Sequence, residues 1–130
     1  MLVIDTSAII AVFFEEAEAP GFMAAIERAD DLFVSTASIL EAQMVLSGRY
    51  PGGGADALDK FVAQNGLKIM PFGETELAFA RTAFLRFGKG RDKAGLNFGD
   101  CMAYALAKSL GAPLLFKGDD FTHTDVVSAV

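Results

Sequence analysis

Short apolar runs alternate with longer stretches of helical periodicity along most of the chain. Leu2-Val3-Ile4 ends at Asp5 and predicts a buried strand. The hydroxyls of Thr6 and Ser7 suit the cap of a helix over Ala8 to Phe14, because they accept backbone N–H groups. Pro20 suits the first turn of a second helix, with Phe22, Met23 and Ile26 at helical spacing. Leu32-Phe33-Val34 predicts the next strand. Ser35, Thr36 and Ser38 then offer caps for a helix reaching about Leu46. Pro51-Gly52-Gly53-Gly54 is the clearest break and predicts a loop, too short for a domain linker.

Ala55 to Gln64 predicts a helix with Leu58, Phe61 and Val62 as its apolar stripe, stopped at Asn65-Gly66. Leu67 to Met70 predicts a third strand, ended by Pro71. Glu74 to Phe87 predicts a helix with Leu77, Phe79, Ala80, Phe84 and Phe87 facing inward. Gly88 to Gly99 predicts a loop. Asp100 to Leu110 predicts a helix ended by Gly111. Leu114-Leu115-Phe116 predicts a fourth strand, and Asp125-Val126-Val127 a short fifth. Strands alternating with helices predict an α/β fold, a mostly parallel sheet of four to five strands with helices on both faces. In such sheets ligands bind beyond the carboxyl ends of the strands.

Composition narrows the class. With 130 residues, 52% apolar and 22% charged, the chain fits one domain over 1–130 with a core of its own. Cys101 is the single cysteine; it excludes an internal disulfide and suits a reducing cytoplasm. No stretch reads as a signal peptide or membrane span, since Asp5 interrupts the first apolar run. The net charge of −6 argues against a general nucleic-acid surface. Arg81, Arg86, Lys89, Arg91 and Lys93 against Asp92 alone nevertheless make one basic segment. It reads equally as a local phosphate contact or as a solvated helix face.

The acids carry the chemistry. Asp5 follows the first strand and Asp119 the fourth, so parallel strands put both at one sheet edge. Asp100 lies at a helix start. Glu41 lies within a helix beside Leu40, Met44 and Val45, and a carboxylate facing inward is costly unless paired or metal-bound. Taken singly, each acid reads as a cap or turn residue; together they suit Mg²⁺ or Mn²⁺, which prefer oxygen ligands and can activate water against a phosphodiester. The other chemistries are thinner. His123 is the only histidine, which excludes a histidine pair, and it reads as a surface turn residue. Cys101 reads as helix packing and Phe84 and Phe87 as core. Gly52-Gly53-Gly54 lacks the Lys-Ser/Thr ending of a phosphate-binding loop.

Val3-Ile4-Asp5-Thr6-Ser7-Ala8, Ser38-Ile39-Leu40-Glu41-Ala42, Gly95-Leu96-Asn97-Phe98-Gly99-Asp100-Cys101-Met102-Ala103-Tyr104-Ala105 and Leu114-Leu115-Phe116-Lys117-Gly118-Asp119-Asp120-Phe121 with Thr124-Asp125 resemble, in order and spacing, the motifs of PIN-domain ribonucleases. Within that family the chain resembles the VapC-type toxins of prokaryotic toxin–antitoxin pairs. The resemblance implies a three-layer α/β/α nuclease domain and a Mg²⁺- or Mn²⁺-dependent endoribonuclease. It implies Asp5 and Asp100 as metal ligands, Glu41 as third acid and Asp119 as fourth, Asp120 being its adjacent alternative. It also implies homodimers and a cognate VapB-type antitoxin; an acidic site invites a basic side chain from that inhibitor. Ser7, Lys117 and Arg91 are candidate substrate contacts. Lys117 departs from the family, where a small hydroxyl residue is frequent. A phosphorelay receiver would also use strand-end acids and a lysine, but it needs an acceptor aspartate near Met70-Pro71-Phe72, where none stands. A dehalogenase-like phosphatase needs an aspartate where Ser7 is. A non-catalytic interaction module is the remaining alternative.

Overall fold

The computed structural model describes all 130 residues. Four strands, β1 (Leu2–Ile4), β2 (Leu32–Ser35), β3 (Leu67–Met70) and β4 (Leu114–Leu115), form one sheet in the order β3-β2-β1-β4. Every pairing is parallel, with Leu2 opposite Leu32, Leu32 opposite Leu67 and Val3 opposite Leu114. The expected fifth strand does not form. Residues 127–129 make only an isolated bridge, Ser128 to Leu114.

Alternation along the strands builds two cores. Leu2 and Ile4 of β1, Leu32 and Val34 of β2 and Leu115 of β4 face one side of the sheet. There they meet α1 (Thr6–Phe13), α2 (Ala19–Arg28), α3 (Thr36–Arg49) and α4 (Gly54–Asn65) through Ile9, Phe22, Leu46, Leu58 and Phe61. Val3, Leu114 and Phe116 face the other side, against α5 (Glu74–Phe87) and α6 (Phe98–Leu110). The result is a three-layer α/β/α stack, as a two-faced parallel sheet requires. In α6 the run Cys101 to Ala107 is buried without a break, and its alanines let α5 approach through Ala80 and Ala83.

Two expectations about α5 and α3 change. Leu77 and Phe84 of α5 are half exposed, and the buried face is Ala80, Ala83 and Phe87. On α3, Leu40, Met44 and Val45 are exposed and the core face is Ser38, Ala42 and Leu46. Apolar side chains on these helices therefore outnumber the positions the core can accept, and the surplus lies on the surface. No helix is long and apolar enough to cross a membrane.

Candidate active site

Asp5 begins the site. It is the last residue before α1 and is its N-cap, a role the sequence assigned to Thr6 and Ser7. Its backbone N–H donates to Leu115 O at 2.9 Å, which fixes it to the end of β4. Its carboxylate is 4% exposed at the residue level. Oδ2 accepts the Ser7 N–H at 3.0 Å and the Ser7 hydroxyl at 2.5 Å. Burial pushes the Asp5 carboxyl up to about 6; the Ser7 hydrogen bonds oppose this, while the charges of Asp100 and Glu41 add to it. Ser7 Oγ also accepts the Lys117 N–H at 2.9 Å, so it ties the ends of β1 and β4 together.

Asp100 is the third residue of α6. Asn97, the N-cap, accepts the Asp100 N–H at 2.9 Å, and Asp100 Oδ2 accepts the Asn97 N–H at 3.1 Å. This reciprocal capping box starts the helix two residues earlier than expected and fixes the carboxylate's direction. Burial raises the Asp100 carboxyl; the Asn97 N–H opposes it, and the charges of Asp120 and Glu41 add to it. Glu41 is half-buried on α3, and its carboxylate lies against the Cα of Gly99.

Asp119 and Asp120 both follow β4 and are both exposed. Asp120, not Asp119, is the acid whose charge acts on Asp100. Gly118 at φ +99° turns the chain after β4, and a short 3-10 helix over Asp120–His123 then buries Phe121 against Phe116, with ring centroids 5.0 Å apart. Asp119 caps that helix through its backbone carbonyl, which accepts the Thr122 N–H at 3.0 Å.

The candidate substrate contacts separate. Ser7 belongs to the acid cluster. The Lys117 ammonium turns instead to Glu16 Oε2 at 2.8 Å and Glu18 Oε1 at 3.6 Å, and these acids hold it protonated above its ordinary range. Arg91 reaches back over the Phe84 ring, 5.5 Å from its centroid, and donates to Leu85 O at 3.4 Å. His123 sits exposed in the 3-10 helix and Cys101 is buried. The sequence reading passed over Asn97, although Asn-x-x-Asp is capping-box spacing. Ser38, a cap candidate in the sequence, does not cap α3, and its buried Oγ has no partner one turn before Glu41.

No lysine or arginine bridges Asp5, Glu41, Asp100 or Asp120; every ion pair of the protein lies elsewhere. The donors are all carboxylate oxygens, the set that hard divalent cations take. Uncompensated and mutually repelling acids fit a cation. No three of them stand close enough together to hold an ion as they are placed.

The PIN domain family model matches residues 2–127. Ribonuclease VapC30 of Mycobacterium tuberculosis is 42% identical over 127 residues, covering 98% of this chain and 97% of that protein. Ribonuclease VapC of Mycolicibacterium smegmatis is 41% identical over 127 residues, covering 98% of each. Among solved structures, M. tuberculosis VapC20, described as a sarcin-ricin loop cleaving toxin, superposes with a TM-score of 0.79 at 16% identity, covering 98% of this chain and 97% of that one. A toxin–antitoxin complex from Klebsiella pneumoniae gives 0.73 at 15% identity, covering 100% and 98%. With its three-layer fold and full-length likeness to these enzymes, the chain belongs to the PIN-domain family as a VapC-type ribonuclease.

Proposed function

We propose that this ribonuclease is the toxin of a toxin–antitoxin pair and hydrolyses phosphodiester bonds of cellular RNA with Mg²⁺ or Mn²⁺. The observation that carries the proposal is that Asp5 is buried at the end of β1 with no lysine or arginine paired to it, Asp100 or Glu41. Asp5 and Asp100 would hold the ion, and Asp120 fits the fourth acid better than Asp119. A divalent cation in such a site supplies positive charge for the phosphodiester and makes water a better nucleophile. Ser7 holds Asp5 through Oδ2, so Oδ1 would be available to an ion. Asn97 does the same for Asp100 by occupying Oδ2. Glu41 is the acid free to orient the attacking water and accept its proton.

The partners follow from the same surface. The acids attract a basic side chain of an inhibitor as they attract a cation, and a VapB-type antitoxin inserting an arginine or lysine there would block the site. A second copy is the fitting cover for the apolar surplus of α3 and α5, which no core residue reaches. The single cysteine, buried and unpaired, suits a cytoplasmic protein. The test is direct: purified protein is incubated with total cellular RNA and Mg²⁺, with and without EDTA. Cleavage is expected in Mg²⁺ and is expected to vanish in EDTA and in Asp5→Asn and Asp100→Asn. Full activity of either variant would overturn the assignment.

A further inference from the structure

A side chain at residue 99 would occupy the space where Glu41 ends. A Cβ built on Gly99 has three nearest neighbours, all from Glu41: it would come within 2.8 Å of Oε1 and 2.9 Å of Cδ, and nearer still to Oε2. The other tight glycines behave differently. A Cβ on Gly54 would meet the Leu46 and Ser47 backbone, at 2.9 Å from Leu46 C and 3.0 Å from Ser47 N. Backbone cannot move aside cheaply, so Gly54 serves the packing of α4 on α3. The end of a glutamate can move aside, at little cost to the fold. Gly99 is also the second residue of α6, in ordinary helical backbone that alanine adopts more readily than glycine. Helix stability therefore gives no reason for a glycine there.

We infer that Gly99 is a positioning residue for Glu41: its missing side chain leaves the cradle in which the Glu41 carboxylate reaches Asp100 and Asp5. The inference rests on the ribonuclease reading in which Glu41 is the third acid. Glu41 already acts on both aspartates electrostatically. A methyl group at 99 would push that carboxylate out of the cluster while Asp5 and Asp100 keep their own anchors, Ser7 and Asn97.

The experiment compares the parent with Gly99→Ala, Glu41→Ala and the double variant, reading the initial rate of cleavage of total cellular RNA in Mg²⁺ and the melting temperature in EDTA. Gly99→Ala is expected to cleave about a hundredfold more slowly, the effect of a misplaced catalytic group, with a melting temperature equal to or above the parent's. In the Glu41→Ala background the same substitution is expected to change the rate less than twofold. A Gly99→Ala rate within twofold of the parent overturns the inference, as does a full additional loss in the double variant. If the parent itself leaves RNA intact, the ribonuclease reading fails, and crystals of Gly99→Ala decide the placement alone. A Glu41 carboxylate displaced from its parental position supports the inference; one still lying over residue 99 overturns it.

Discussion

The Ser7 hydroxyl donates to Asp5 Oδ2 at 2.5 Å across two residues of chain. Ser7 Oγ in turn accepts the Lys117 N–H at 2.9 Å, a contact that joins residues far apart in sequence. One small side chain thus sets the direction of the first acid and its distance from the end of β4.

Replacing Ser7 with alanine leaves Asp5 one hydrogen bond poorer and strands the Lys117 N–H. The expected cost is about 1–3 kcal/mol, the range for losing a partner to buried polar groups. The hydroxyl also opposes the effect of burial on Asp5, so the acidic limb of the pH–rate profile is expected to move to higher pH. Denaturant melts and a pH–rate profile of Ser7→Ala check both; an unmoved limb would show that the hydroxyl does not tune Asp5.

Asp5 also predicts how stability depends on pH. Its carboxyl titrates at about 6 in the folded protein against 3.8 for an ordinary aspartate. Between those values the folded state holds more protons than the unfolded chain, so in EDTA this group makes stability fall as pH rises from about 4 to 6. Above that window the penalty is complete, roughly 2–3 kcal/mol for a shift of this size. Asp100 acts in the same sense, whereas Asp125 and Asp31, with lowered values, oppose it at lower pH. The Asp5→Asn variant is therefore expected to be more stable than the parent at pH 7.5, the gap closing by pH 4. Urea melts of the pair across pH measure this, and a gap independent of pH would count against it.

Metal should reverse that penalty. Mg²⁺ or Mn²⁺ binding only to the folded protein raises its stability by mass action, about 2.7 kcal/mol at a hundredfold excess over Kd. Thermal melts are expected to shift upward with Mn²⁺ in the parent and not in Asp5→Asn or Asp100→Asn.

The two adjacent acids after β4 are expected to separate on substitution. Asp120→Asn should lower RNA cleavage roughly tenfold or more, the usual effect of disturbing groups that act on a metal ligand. Asp119→Asn should cleave like the parent. A loss in Asp119→Asn with Asp120→Asn cleaving like the parent would return the fourth position to Asp119.

The sequence made most of this legible, and its misses share a cause. Periodicity located all four strands and fixed α5 to the residue, Glu74–Phe87, because each apolar run is short and bounded by a turn signal. Periodicity does not say which apolar stripe is buried, so Leu77 and Phe84 were expected inside along with Ala80 and Phe87, whereas the buried face is Ala80, Ala83 and Phe87. The inward reading of Glu41 leaned on Leu40, Met44 and Val45, which are themselves exposed; what half-buries Glu41 is the start of α6, a neighbour distant in sequence. The order of Asp119 and Asp120 is set in the same way: the turn at Gly118 and the burial of Phe121 place these two adjacent acids, and neither shows in local pattern.

The far end of the chain carries a different kind of consequence. Asp125 Oδ1 accepts the Tyr104 hydroxyl at 2.6 Å, and Oδ2 accepts Lys108 Nζ at 3.2 Å and Arg86 at 3.4 Å. That knot lays residues 127–129 along β4, where Leu114 N–H donates to Val127 O at 2.8 Å and Ala129 N–H donates to Leu114 O at 2.9 Å. The outer rim of the sheet is thus sealed by a tail instead of a strand. An unsealed rim is a template on which other chains can zip. Untying Asp125 would accordingly be felt first as stickiness between molecules, before any loss of catalytic power.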